Sequence, residues 1–239
     1  MARATAPGTA VGRLADHLLD GTDDDTMAGE LTGWLAGSAR FRAFAELHRD
    51  KIRKKMRSTA DEEARRDVRA ELSVAHALLA DRRIELAFEA YGSGRGGPDF
   101  GVTYRGERAF NLEITRLRRR PNVARDTRVL MTKLRQLPPS VPNAVLITFD
   151  GDDAAALDIA EATRLIRARA DAKDEVFFTA RGFAGTRTFY ERYLRLGAVV
   201  GWCEGAGGEA RASLWINRSA RIPLPERAQR ACLLSLRAG

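Results

Sequence analysis

The chain has 239 residues, of which 44% are hydrophobic, so it is long enough to bury the core of one ordinary domain with a helical extension. No apolar run approaches a membrane span, and none follows the first residues, so we expect a cytoplasmic protein with no membrane partner. The formal net charge of +8 favours a polyanion such as nucleic acid, although an arginine-rich coding bias would raise the same charge.

Cysteine and histidine are too few and too scattered to indicate a metal site. Cys203 and Cys232 lack metal-ligand spacing, and we expect them to be reduced core residues. The three histidines lie far apart on predicted helices, so neither a zinc site nor histidine-based catalysis is expected.

The first 57 residues carry helical patterns, at 11–20 and 27–57, and we assign residues 1–57 to a basic N-terminal helical extension. The extension ends in five cations within seven residues, a density that suits phosphate neutralisation. A solvated helix end with favourably placed cations is the alternative. The candidate nucleic-acid contacts here are Lys51, Arg53, Lys54 and Lys55.

A further helix is predicted to start at Ser58 or Thr59, which suit an N-cap, and to run to about Ala80. Glu71 lies beside its apolar stripe, where it can point along the edge of a sheet. Alternation of apolar and polar residues over 84–91 then predicts a first strand.

The centre of the chain predicts a β-hairpin. Two short alternating runs, 97–102 and 109–117, flank a polar tip over 105–108 that contains a glycine. Asp99 opens the first strand, and Glu113 lies deep in the second. A folded hairpin brings these carboxylates together, and a hard divalent cation would relieve their repulsion. Pairing with the many arginines is the alternative.

An arginine cluster leaves the second strand, at the rim of this acidic pair, where a nucleic-acid backbone would lie. Its members are Arg116, Arg118, Arg119 and Arg120. A helix over 122–137 is predicted next, with Lys133 and Gln136 as neighbours on one face. The later predicted elements are a strand at 145–149, a helix at 154–173, a strand or loop at 176–178, a helix at 186–196, strands at 198–203 and 212–216, and a helix at 225–237.

The order helix–strand–strand–strand–helix–strand, together with Pro98-Asp99 and Leu112-Glu113-Ile114-Thr115, resembles the PD-(D/E)XK nuclease superfamily. The resemblance implies an α/β (α+β) fold, with a mixed central sheet and an αβββαβ restriction-endonuclease-like core, and we assign residues 58–239 to this domain. The match departs from the family at Thr115, which stands where the motif has lysine.

The resemblance also implies a chemistry. Asp99, Glu113 and the Ile114 carbonyl would hold Mg²⁺ or Mn²⁺, with Glu71 assisting from the preceding helix. Lys133 would replace the lysine lost at Thr115, and Gln136 would help to orient the substrate.

The implied function is metal-dependent hydrolysis of nucleic acid, with DNA expected rather than RNA. The alternative is a catalytically degenerate member of the same fold that binds nucleic acid or another protein. Restriction, phage defence, repair and mobile-element processing all fit, and the sequence leaves open a homodimer or a partner protein.

Overall fold

The described part of the chain divides into two compact units. In the computed structural model, described residues are 9–19, 24–59, 61–89, 97–118, 122–149, 158–204 and 210–238. The first unit covers Met1–Arg82 and the second Arg83–Gly239. The helix that precedes residue 82 therefore belongs to the first unit, whereas the sequence predicts that it belongs to the domain 58–239. The boundary at 57/58 stays a prediction.

The described residues of the first unit form five helices. They are α1 (Ala10–Leu19), α2 (Asp25–Gly37), α3 (Ala39–Leu47), α4 (Arg49–Arg57) and α5 (Glu62–Leu79). The helical pattern predicted over 27–57 is confirmed, but reading it as one helix would be wrong, because the chain breaks at Ser38 and His48. Ser38 ends α2 and caps α3, its Oγ accepting a hydrogen bond from Phe41 N at 3.1 Å. The predicted cap of α5 at Ser58 or Thr59 is also wrong, since the Asp61 carboxylate accepts the bond from Ala64 N.

Apolar faces of these helices bury one another around a small aromatic group. Leu18, Leu35 and Phe41 are fully buried. Trp34 stacks on His76 with ring centroids 5.6 Å apart, which gives that histidine a packing role.

A mixed six-stranded sheet and five helices make up the described residues of the second unit. The strands are β1 (Ile84–Phe88), β2 (Phe100–Tyr104), β3 (Glu107–Leu117), β4 (Asn143–Phe149), β5 (Leu196–Glu204) and β6 (Ala210–Ile216). The helices are α6 (Val123–Leu134), α7 (Ile159–Asp171), α8 (Glu175–Thr179), α9 (Thr186–Tyr193) and α10 (Glu226–Ala238).

Strand order in the sheet follows the sequence from β1 to β6. Strands β1, β2 and β3 pair antiparallel, β3, β4 and β5 pair parallel, and β6 is antiparallel to β5. In chain order, α5, β1, β2, β3, α6 and β4 have the predicted αβββαβ arrangement, and the predicted α/β class with a mixed sheet is confirmed. Helix α8 replaces the strand or loop predicted at 176–178, because Asp174 caps a helical turn there.

The two faces of the sheet carry different side-chain sets. Leu117, Val145, Ile147 and Val199 pack with residues of α6, α7, α8 and α9 in one buried cluster. On the other face, Trp202 Nε1 donates to the Leu236 carbonyl of α10 at 2.8 Å. No helix among the described ranges is long and apolar enough to cross a membrane.

Candidate functional site

The hairpin formed by β2 and β3 places Asp99 next to the middle of β3. Phe100 pairs with Leu112, so the antiparallel register continues to Asp99 opposite Glu113. Residues directly opposite in such a pair share one face of the sheet. Asp99 Oδ2 accepts a hydrogen bond from Ile114 N at 2.8 Å, which ties this carboxylate to the residue after Glu113.

Backbone bonds on the other side of Asp99 fix its position further. The Glu89 N–H donates to the Asp99 carbonyl at 2.8 Å, extending the pairing of β1 with β2 by one residue. Pro98, which is buried, has no N–H to offer β3, and the Asp99 side chain accepts from β3 at this point instead. Asp99 therefore ends the regular ladder with its carboxylate held against β3.

Glu113 is buried, with its side chain 6% exposed, and it pairs with a lysine from the following helix. Lys133 Nζ lies 2.5 Å from Glu113 Oε1. Helix α6 is the crossover between the parallel strands β3 and β4, so it packs against the face that Glu113 shares with Leu117. The crossover thus brings in a cation twenty residues away in sequence.

Other predicted site residues lie around this pair in different ways. Thr115 is half-buried two residues along β3, on the face of Glu113. Gln136 is exposed beyond the end of α6, and its backbone N–H donates to the Lys133 carbonyl. The roles predicted for both residues stay predictions.

The predicted basic contacts are divided between the two units. Within the first unit Lys55 Nζ lies 2.5 Å from Glu71 Oε2, with the Glu71 side chain 10% exposed. Lys55 and Glu71 neutralise each other, whereas the sequence predicts that Lys55 contacts nucleic acid and that Glu71 assists in binding a metal. Exposed cations of α4 include Lys51 and Lys54, and Arg53 is half-buried.

In the second unit Arg116 is half-buried and Arg118 is exposed. Arg119 and Arg120 lie outside the described residues.

A guanidinium beside the acidic pair was not singled out from the sequence. Gly101 pairs with Asn111 across the hairpin, one pleat from Asp99 and Glu113 on the same face. A Cβ on Gly101 would lie 2.9 Å from the Arg108 Cζ, so the glycine lets this side chain cross β2. The Arg108 guanidinium donates to Asn111 Oδ1. A glycine inside a strand opposite a polar residue is the sequence signal that could have identified it.

The amide of Asn111 is itself held in place. It is fully buried and donates from Nδ2 to Asn143 Oδ1 at 3.0 Å. Asn143 Nδ2 in turn lies within 3.0 Å of the carbonyls of Pro138, Val141 and Arg195. Such a connected network fixes the side chain that orients Arg108.

One further buried acid lies on α6. Asp126 is 1% exposed, and neither of its carboxylate oxygens has a hydrogen-bond partner among the described residues. Burial raises the pKa of Asp126 to about 6, and the negative charge of Asp158 acts in the same direction. The burial of Asp126 could not be recognised from the sequence, because one acid in the first helical turn is ordinary.

The oxygen donors beside β3 are of the kind that a hard cation prefers. Asp99, Glu113 and the Ile114 carbonyl supply only oxygen, as Mg²⁺ requires. Ile114 N contacts one oxygen of Asp99, and Lys133 Nζ contacts one oxygen of Glu113. The described residues contain no group of three or more His, Cys, Asp or Glu side chains placed to share one metal ion.

Comparison with known proteins adds no relative. No protein-family model, no curated protein sequence and no solved structure matches this chain significantly.

Proposed function

We propose that this protein is a metal-dependent nuclease that hydrolyses phosphodiester bonds of nucleic acid. The observation that carries the proposal is the arrangement on β3, with Asp99 bonded to Ile114 N and Lys133 paired with the buried Glu113. The arrangement resembles the acid–acid–lysine combination of the PD-(D/E)XK nucleases, with the lysine supplied by α6 instead of the position of Thr115.

The donor set fits a divalent cation. Asp99, Glu113 and the Ile114 carbonyl would hold Mg²⁺ or Mn²⁺. When bound, such a cation supplies an activated water and neutralises negative charge that develops on the phosphate.

The chain's own residues supply the rest. Lys133 balances the buried charge of Glu113, and its side chain is 19% exposed, so the ammonium can reach a phosphate oxygen at the surface of the site. Arg108 lies one pleat away with its guanidinium oriented by Asn111, where it can donate hydrogen bonds to an adjacent phosphate. The net charge of +8 supports an anionic substrate, and DNA is the proposed one.

The test is a cleavage assay on DNA and RNA with Mg²⁺ or Mn²⁺. Glu113→Gln and Lys133→Ala should each abolish cutting or reduce it at least about 100-fold, in line with a lost electrostatic or acid–base group. Glu107→Gln, on the exposed start of the same strand, and Arg128→Ala, on the exposed face of the same helix, are the matched controls.

A readout independent of activity is the thermal shift caused by Mg²⁺. The parent should be stabilised by the ion and Glu113→Gln should not, because binding to the folded state alone stabilises it. Parent protein that neither cuts nor responds to Mg²⁺ contradicts the proposal.

A second candidate is a non-catalytic nucleic-acid-binding or protein-interaction module. Thr115 at the motif lysine position and the direct pairing of Glu113 with Lys133 favour it, because that pair would then serve only to neutralise a buried acid. Nucleic-acid binding without cutting, unchanged in Glu113→Gln, would establish this function instead.

A further inference from the structure

A cluster of arginines lies on the face of the hairpin opposite that of the acidic pair. A cavity of about 350 Å³ is formed between the hairpin turn and α10. We call it the turn–helix cavity, and the residues that matter here are Arg83, Tyr104, Arg105, Arg227, Arg230 and Leu234. Strand alternation places Tyr104 on the face of β2 opposite that of Asp99.

The backbone brings the first two arginines together. Arg105 N–H donates to the Arg83 carbonyl at 2.8 Å, one residue beyond the paired β1 and β2. Both guanidinium groups then flank Tyr104, with Cζ atoms 5.8 Å and 5.7 Å from the ring centroid. The ring favours the placement of a cation on its face.

The conformation of Arg105 is unusual for its residue type. Arg105 and Gly106 are the two central residues of the turn, with φ of 53° and 82°. A two-residue turn of this kind favours asparagine or glycine at both positions. A long cationic side chain held in the left-handed region indicates a role beyond the turn itself.

Helix α10 supplies the opposite wall. Arg227 and Arg230 are exposed there, and Glu226 is the one acid among the described residues that line the cavity. Glu226 lies 3.8 Å from Arg230, and its side chain is 86% exposed, so it offsets little of the positive charge. Arg105, Arg227 and Arg230 therefore repel one another around one cavity, and an anion would relieve that repulsion.

We propose that the turn–helix cavity binds the phosphodiester backbone of nucleic acid. Guanidinium groups are suited to paired hydrogen bonds with phosphate oxygens, and Arg105, Arg227 and Arg230 offer three of them. Leu234, 57% exposed at the rim, gives apolar contact for a sugar or base edge. Binding here needs neither the carboxylates of Asp99 and Glu113 nor a metal, so the proposal goes beyond phosphodiester hydrolysis.

The experiment measures the affinity of a labelled duplex DNA in EDTA over a range of salt concentrations. Arg105→Gln/Arg227→Gln should lower the slope of log affinity against log salt by about 1.8, since each lost phosphate contact removes about 0.9. Arg164→Gln/Arg187→Gln, with the same change of charge at exposed sites on α7 and α9, should leave the slope nearly unchanged. An unaltered slope in the first variant, or an equal fall in the control, overturns the proposal.

Arg105→Gly separates binding from folding. Glycine suits the positive φ, so this variant should melt no lower than the parent yet bind DNA more weakly, with the slope reduced by about 0.9. Parent-like binding by this variant would contradict the proposal.

Two further arms identify the ligand and separate the two sites. Inorganic phosphate at matched ionic strength should not displace the DNA, and complete displacement would indicate a small-anion site instead. Cleavage in Mg²⁺ tests the nuclease proposal and the salt slope in EDTA tests this one, so failure of the nuclease proposal and failure of this one give different results.

Discussion

Replacing Lys133 by methionine tests the candidate site through stability as well as through activity. The substitution keeps most of the apolar stem and removes the ammonium 2.5 Å from Glu113 Oε1. Glu113 then keeps a carboxylate whose side chain is only 6% exposed. Removing one partner of a buried ion pair costs about 3–5 kcal/mol, and we expect about 3 kcal/mol because Lys133 itself is 19% exposed.

The same variant reports on the cation. In Lys133→Met the acidic pair lacks its ammonium, so Mg²⁺ should stabilise this variant more than it stabilises the parent. At about 100 times its Kd, an ion that binds only the folded state adds about 2.7 kcal/mol. Urea unfolding in EDTA and in Mg²⁺ measures both quantities.

Two companion variants make the experiment decisive. Glu113→Gln should cost only about 1 kcal/mol, because Lys133 can extend to solvent, and the double variant should cost less than the sum of the two single changes. Arg187→Met removes an exposed pair with Glu191 in the same unit and should change stability by less than about 0.5 kcal/mol. A loss below about 1 kcal/mol in Lys133→Met would refute the buried pair, and an Mg²⁺ response equal to that of the parent would refute the cation site.

Three other changes test separate features of the second unit. The pKa of Asp126 is raised to about 6 from 3.8, so its contribution to stability is complete below about pH 4 and is lost as pH rises through 6. Asp126→Asn should therefore raise the free energy of unfolding by about 2–3 kcal/mol at about pH 8 and change it little at about pH 4, as measured by urea unfolding. Gly101→Ala should displace the flexible Arg108 side chain, lowering turnover severalfold with less than about 1 kcal/mol of stability lost, and a parent-like rate would contradict a role for Arg108. Asn217→Ala removes a buried amide that donates to two carbonyls, and thermal melting should show a loss of about 2–4 kcal/mol.

Local patterns in the sequence predicted much of the second unit. Alternation around Asp99 and Glu113 predicted the hairpin, and the apolar stripe over 122–137 predicted the crossover helix that carries Lys133. These features follow from the periodic placement of side chains in strands and helices, which depends on residues close together in the sequence. Even so, the turn is two residues long, Arg105-Gly106, because backbone pairing continues through Glu107 and Arg108.

Sequence patterns gave wrong or incomplete predictions where two local structures were similarly favoured. The helical pattern over 27–57 does not show that Ser38 would cap a new helix, and the apolar residues 176–178 look alike in a strand and in a helical turn. The N-cap side chains of Ser38 and Asp174 decided these positions, because a cap satisfies N–H groups that the helix leaves open.

The amino-acid sequence by itself predicted most of the strands and helices, and it predicted Asp99, Glu113 and Lys133 as candidate site residues. Only the tertiary structure decided which charges meet: Glu113 with Lys133, and Glu71 with Lys55. It also decided that the Asp126 carboxylate is buried with no hydrogen-bond partner among the described residues. The physical reason is that periodicity is a property of adjacent residues, whereas ion pairing and desolvation depend on sheet register and helix packing between residues distant in the chain.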